Sequence, residues 1–363
     1  MRSYGGRSYD VLVVGCGPVG AVLAARLGAA GCDVLVVERA EQVHPLPRAV
    51  AADDEVQELL ERVAPGCLAD AVLDVPVRFL GARGQQVGAL RFPRGVGGRP
   101  GLALFHQPTL EARLRATLDV ELRLGTSLVS WEQDAGGVDA LLDDGSRVRA
   151  RWLVGCDGAG STVRATAGIG WSGRDLRRWL VVDVAGAAAA DGFTYRCDPR
   201  RPSVDMPLPG GHRWEWLLAD DEPAFDPRPL LPAGVEVVRC VEYRYSARRA
   251  ATWRRGRVLL AGDAAHTMPP FAGQGLGAGL RDAWALGALL PRGEVERYEP
   301  LRAPHVREMT RLSLFLGAVL ETRSRPAAAA RDALLAAAFR SPRLGPWLGR
   351  GGPRQTRSGV LEL

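Results

Sequence analysis

A chain of 363 residues, 47% hydrophobic and with a net charge of +6, is large enough to bury one large core or two interlocked ones. It has no apolar run long enough to cross a bilayer, and its start, MRSYGGRSYD, is too short and polar for a secretory leader, which predicts a cytoplasmic protein. All 47 basic residues are arginine, which excludes a Schiff-base lysine, a Walker-type phosphate lysine and any catalytic ammonium. Acids are interspersed among the arginines, so no nucleic-acid partner is expected. Cys16, Cys32, Cys67, Cys156, Cys197 and Cys240 form no CxxC pair or Cys/His cluster, so they read as reduced thiols with no metal site.

Asp10 to Val14 is a continuous apolar strand running into Gly15-Cys16-Gly17-Pro18-Val19-Gly20, a G-x-G-x-x-G. A helix over 21–30 ends at Gly31, and a second strand, Asp33 to Val37, ends at Glu38-Arg39. The fingerprint therefore sits between strand and helix, with an acid 18 residues after Gly20. Its glycines suit a tight turn, pyrophosphate approach and helix–strand contact, and Glu38 is placed to accept adenosine ribose hydroxyls. This pattern does not separate NAD from FAD. Arg48 leads the next segment and is a candidate for the pyrophosphate, and Asp53 or Asp54 caps a helix over 54–62. Residues 75–94 read as two strands leaving the nucleotide unit, 95–101 as a flexible connection, and Gln107 with Pro108 as a helix start. Strands follow over 120–131 and 138–149.

Trp152 to Arg164 repeats the opening design. A buried strand ends at Cys156-Asp157-Gly158, and a helix begins near Ser161 or Thr162. Residues 171–255 then read as antiparallel strands covering a cofactor and forming a substrate pocket. In Arg213 to Leu218, Trp214 and Trp216 share one face. Tyr195, Asp205, His212, Trp214, Trp216 and Pro270 are the pocket candidates.

Arg257 to Asp282 organises the rest. A buried strand, Val258 to Ala261, turns at Gly262-Asp263, passes Pro269-Pro270 and enters Gly273, Gly275, Gly277 and Gly279 at a helix N-terminus. Such an end presents free N–H groups and a positive dipole to an anionic or flat ligand. Residues 295–348 read as helical, interrupted at Pro326 and Pro342, and the tail over 351–363 as disordered.

Taken together, these three elements resemble the aromatic-ring flavoprotein monooxygenases of the p-hydroxybenzoate hydroxylase superfamily. The segments Pro47-Arg48-Ala49-Val50, Phe271 to Gly275 and Arg281-Asp282-Ala283 are most similar to the branch of 3-(3-hydroxyphenyl)propionate hydroxylase and the polyketide hydroxylases. The resemblance implies an α/β fold: a Rossmann-like FAD-binding domain (1–75, 101–170 and 256–293), an inserted, mostly antiparallel β-sheet substrate domain (76–100 and 171–255) and C-terminal helices (294–350).

It implies bound FAD held by Gly15, Gly17, Pro18, Val19, Gly20, Glu38, Arg39, Arg48, Gln107, Arg113, Asp157, Gly262, Asp263, Pro270, Gly273, Gly275, Leu276 and Gly277. Asp263 would hold the ribitol or pyrophosphate arm, and Asp157 would act from behind. NAD(P)H would dock transiently, O2 would add to the reduced flavin, and the C4a-hydroperoxide would hydroxylate a phenolic or polyketide-like ring. The protein would be a monomer or homodimer. The same fold also admits epoxidation, Baeyer–Villiger insertion, N-oxidation or a flavin-binding auxiliary role. No residue is assigned as catalytic acid or base. Two departures stand out. Gly277 replaces a frequent Asn, removing a side-chain contact to the flavin, and the thioredoxin-like C-terminal domain of many relatives is expected to be absent.

Overall fold

A computed structural model describes residues 7–186, 192–352 and 358–363. Ser8–Val14 lies at the centre of a sheet with Arg147–Gly155 on one side and Val34–Glu38 on the other. Val258–Leu260 and Glu121–Leu124 extend this parallel set on its two sides, and Arg254–Arg255, Val138–Leu142 and Leu128–Gln133 add antiparallel strands to the same sheet. Helices cover this sheet, so its strands must be apolar on both faces. Val11, Leu12, Val13, Leu35, Val36, Leu153 and Val154 are accordingly all buried. Each such side chain contributes about 1.5–3 kcal/mol of transfer free energy.

Helix α1 (Pro18–Ala29) starts with proline at its first position, where no N–H is needed. Helix α2 (Asp54–Val63) is capped by Asp53, whose side chain accepts from Val56 N at 2.9 Å. Helices α3 (Gln107–Ala116) and α4 (Thr162–Thr166) follow. Helix α5 (Gly275–Leu289) is buried along nearly its whole length and packs against α1.

A second sheet has the order His266–Thr267, Glu236–Ala250, Trp171–Ala185, Gly211–Leu218, Ser203–Leu208, Phe193–Arg196, Val77–Leu80 and Gln86–Leu90. All its pairings are antiparallel except Phe193–Arg196 with Val77–Leu80. Side chains alternate between its faces. One face carries Trp179, Val204, Met206, Leu217 and Tyr245 toward Phe271. The other carries Leu180, Val182, Val184, Trp216 and Leu218 under Phe225, Leu231 and Val235.

The C-terminal part is α6 (Tyr298–Leu320), α7 (Arg325–Arg340) and α8 (Gly345–Gly349). The helical run is interrupted as expected, over 321–324 just before Pro326, which lies in the first turn of α7 behind the Ser324 cap, and over 341–344 around Pro342. Pro304 lies in the interior of α6. The expectation of a disordered tail is corrected for its end. Ser358 donates to Glu55 at 2.8 Å, and Val360 is fully buried. Residues 353–357 lie outside the described residues.

Candidate functional site

Backbone crowding explains two of the three fingerprint glycines. Gly15 has φ +98°, and a Cβ there would lie 2.6 Å from the Cys156 carbonyl oxygen. A Cβ on Gly20 would lie 1.9 Å from the Gly15 carbonyl oxygen. Gly17 is different: nothing stands within 4 Å of its Cβ position, so a space lies open before the α1 N-terminus. Glu38 accepts from Cys16 N at 2.7 Å and Ala40 N at 3.0 Å. A carboxylate has about four lone-pair sites, which leaves two for ligand hydroxyls. Arg39 is exposed.

The three glycine-rich segments converge by direct contact. Gly15 meets Cys156 and Asp157 of the second. Val19, at the start of α1, packs on Gly262 and Gly279 of the third, where added Cβ atoms would lie 3.1 and 2.8 Å from its Cγ2. Arg164 joins the second to the third. It donates to the Ala159 carbonyl at 2.8 Å and the Ala264 carbonyl at 2.9 Å, while its guanidinium stacks 3.8 Å over the Trp171 ring. The Asp-Gly motif names this arginine but not the role.

Asp157 accepts from Val163 N at 3.1 Å with Oδ2, while its buried Oδ1 has no partner among the described residues. Asp263 is exposed, between the buried Gly262 and Ala264. Loss of hydration there pushes its carboxyl up from the ordinary value, against the pull of His266 and Arg48. Behind it, fully buried Asp282 accepts from His266 Nε2 at 2.6 Å, Arg302 Nε at 2.9 Å and Gly262 N at 3.2 Å. Burial would raise the Asp282 carboxyl, but His266 and Arg302 outweigh it and hold it below the usual range. His266 thus fixes the turn rather than facing the cleft.

The Arg48 loop is held from two sides. Gln107 Oε1 accepts from Arg48 N at 3.0 Å and Ala49 N at 2.7 Å. Arg213 Nη2 donates to the Pro47 carbonyl at 2.7 Å, and Arg239 donates to the same oxygen. Arg213 is itself fixed by a buried fork to Asp183, at 2.6 and 2.8 Å. The Arg48 side chain is left exposed. Arg113 instead turns to Asp70 and the Cys67 carbonyl, at 2.5 and 2.9 Å. Its neighbour Arg115 reaches the fingerprint, donating to Cys16 O at 3.0 Å.

At the start of α5, Gly273 takes φ +63°, and Pro270 is exposed beside it. Gly275 has only Met268 near its Cβ position, at 3.9 Å, so the helix end and the partly buried Leu276 face open space. Gly277 does not face it. A Cβ there would point to Arg281 Nη1 at 2.8 Å and Val56 Cγ2 at 3.0 Å. The expected loss of a flavin contact is therefore corrected: this position packs on α2. Arg281 fills it, bonded to Glu55 at 2.5 Å, Asp53 at 2.8 Å and Gln274 at 3.1 Å.

On the second sheet, only some pocket candidates come together. Tyr195 lies on the face toward Phe271 and donates to its carbonyl at 3.1 Å. Trp214 and Trp216 lie on the opposite face, against Phe225. Asp205 pairs in register with Trp214 and binds Arg196 at 2.9 Å; buried His212 packs on Trp214 with centroids 4.1 Å apart and the rings tilted by 43°. The inner face instead presents Arg213, Glu215 and Leu217, the alternate residues of the same strand. Burial pushes the Glu215 carboxyl up. On the next strand but one, Tyr243 is half exposed as a residue, yet local desolvation and the charges of Asp263 and Glu215 push its hydroxyl up to about 12.

The open space before Gly17, the orphaned Asp157 oxygen, the remaining acceptor sites of Glu38 and the free α5 end fit a long dinucleotide laid from fingerprint to helix. Comparison with known proteins agrees. The FAD binding domain family matches residues 8–200 and 231–313. The chain is 36% identical over 92% of its length to 3-(3-hydroxy-phenyl)propionate/3-hydroxycinnamic acid hydroxylase of Mycobacterium avium, and spans 65% of that relative. It superposes on p-nitrophenol 4-monooxygenase from Pseudomonas putida with a TM-score of 0.82 and 25% identity, covering 95% of this chain and 99% of that one. Aklavinone-11 hydroxylase, solved with FAD and aklavinone, gives a TM-score of 0.74 and 30% identity, covering 89% of this chain and 70% of that one. On these grounds the chain belongs to the FAD binding domain family.

Proposed function

We propose that the protein is a flavin-dependent monooxygenase, using NAD(P)H and O2 to hydroxylate a phenolic or polyketide-like aromatic. The carrying observation is the aromatic and apolar inner wall of the second sheet, including Trp179, Met206, Leu217 and Tyr245, set against the loop that enters α5. FAD, when bound, supplies the redox chemistry. The chain supplies position and water exclusion. Glu38 takes the adenosine ribose, the α1 N-terminus and Arg48 the pyrophosphate, and Asp263 the ribitol arm. The α5 N-terminus, carrying roughly half a positive charge, would face the flavin ring and favour negative charge there. As the family resemblance implies, NAD(P)H would dock transiently. The protein works in the cytoplasm as a monomer or homodimer. Among the described residues no helix is long and apolar enough to cross a membrane.

The test is direct. Purified protein should be yellow, and its NAD(P)H oxidation should accelerate with the right phenol and yield a product heavier by one oxygen. Colourless protein that takes up no FAD on reconstitution sinks the reading. Product mass and ring integrity separate hydroxylation from epoxidation and Baeyer–Villiger insertion.

A further inference from the structure

The segment Pro269 to Gly273, which aims α5, is gripped by side chains from both neighbouring layers. Ser313 Oγ, on α6, donates to Pro269 O at 2.5 Å and accepts from Ala272 N at 3.3 Å. Tyr195 holds the Phe271 carbonyl. The Phe271 ring sits in a cage. Tyr245 meets it edge-on at 5.5 Å, Trp179 tilts against it at 6.0 Å, and Gly317 leaves it room, since a Cβ there would lie 2.7 Å from the ring.

One oxygen closes that cage. Glu321 Oε1, just past the end of α6, accepts from Trp179 Nε1 at 3.1 Å and from the Tyr245 hydroxyl. Trp179 and Tyr245 stand on adjacent strands, and both are nearly fully buried. Without that acceptor, two buried donors lose their partner, which favours a shift of either side chain toward another acceptor. Tyr245 and Trp179 would then cease to define the place of Phe271, two residues before the glycine that turns into α5.

We propose that Glu321 is a positioning residue for the flavin ring, acting through Trp179, Tyr245 and Phe271 to set the loop that aims α5. This rests on the reading that FAD lies with its ring at the α5 end. The carboxylate touches neither cofactor nor substrate. Its effect passes through packing, so it should appear in the flavin's own spectrum.

The experiment compares Glu321→Leu, Glu321→Gln and Phe271→Leu with wild type. FAD affinity is followed by fluorescence quenching, the bound flavin by its visible band, and fold by thermal unfolding. Glu321→Leu should shift the flavin band and weaken FAD binding by about fivefold or more. Glu321→Gln, which keeps an acceptor oxygen, should restore most of both. Phe271→Leu should reproduce the band shift, and carries the test if Glu321→Leu does not fold. A Glu321→Leu protein that loses only thermal stability, with band and affinity unchanged, overturns the proposal, as does a Glu321→Gln protein as impaired as Glu321→Leu. A wild type that binds FAD but oxidises no aromatic defeats the monooxygenase reading and leaves this comparison intact.

Discussion

Arg213 Nη2 donates to the Pro47 carbonyl at 2.7 Å, so a cation rooted in the second sheet holds the backbone on which Arg48 stands. Replacing it with Met should loosen that loop and leave Asp183 buried, with Arg239 as its nearest cation at 3.5 Å. The expected destabilisation is about 3–5 kcal/mol, because a buried charge loses its partner. Adding Asp183→Leu should recover most of the melting temperature. FAD affinity should stay about tenfold or more below wild type in both variants, measured by fluorescence titration.

The fingerprint glycines should separate folding from binding. A Cβ on Gly20 would lie 1.9 Å from a carbonyl oxygen, so Gly20→Ala should lower apoprotein stability by about 2 kcal/mol or more. Gly17 has open space at that position, so Gly17→Ala should leave apoprotein stability within about 0.5 kcal/mol. Its FAD affinity should fall about tenfold, since the methyl enters the space the pyrophosphate fills. Denaturant unfolding and FAD titration of the two variants check both halves.

Restoring the family residue with Gly277→Asn should not improve flavin contact. The new side chain meets an arginine held by Glu55, Asp53 and Gln274, at 2.5, 2.8 and 3.1 Å. Overpacking of this kind costs about 1–3 kcal/mol. A lower melting temperature with an unshifted flavin band is the expected result, read by calorimetry and absorbance.

Burial first, then Arg302 and Arg281, lowers the His305 pKa from 6.5 to about 3. The folded protein therefore keeps His305 neutral while the unfolded chain takes a proton below pH 6.5. Its contribution is complete above that pH and is lost as pH falls toward 3. Between pH 7 and pH 5 the loss should be about 2 kcal/mol, or about 3 °C in melting temperature for a chain of this size. His305→Gln keeps an acceptor for Arg302 but does not titrate, so its melting temperature should fall less over the same interval.

The nucleotide fold was legible because its signals are local. Apolar runs, glycines and an acid at a strand end all lie within one βαβ unit, and the other two segments repeat the scheme. The pocket was less so. Period-two alternation correctly put Trp214 and Trp216 on one side of a strand, but nothing in that strand says which side meets Phe271 and which meets Phe225. The answer came from the covering layers, and it exchanged the two tryptophans for Arg213, Glu215 and Leu217. Arg115, adjacent to Arg113, was missed because helix phase depends on where the fingerprint sits. Gly277 looked like a lost ligand contact until its outward direction toward α2 was known.

The bond from Ser358 to Glu55 spans 303 residues, that from Arg281 to Asp53 spans 228, and that from Arg164 to Ala264 spans 100. A ribosome delivers these partners in sequence order, far apart in time. The nascent N-terminal βαβ unit leaves the exit tunnel before Arg147–Gly155, the strand that flanks it, has been made. Its hydrophobic edge must wait exposed, and such long-range pairings close slowly. The cofactor cleft is therefore finished only after Ser358 and Val360 have been made, when they lock α2 against the base of α5.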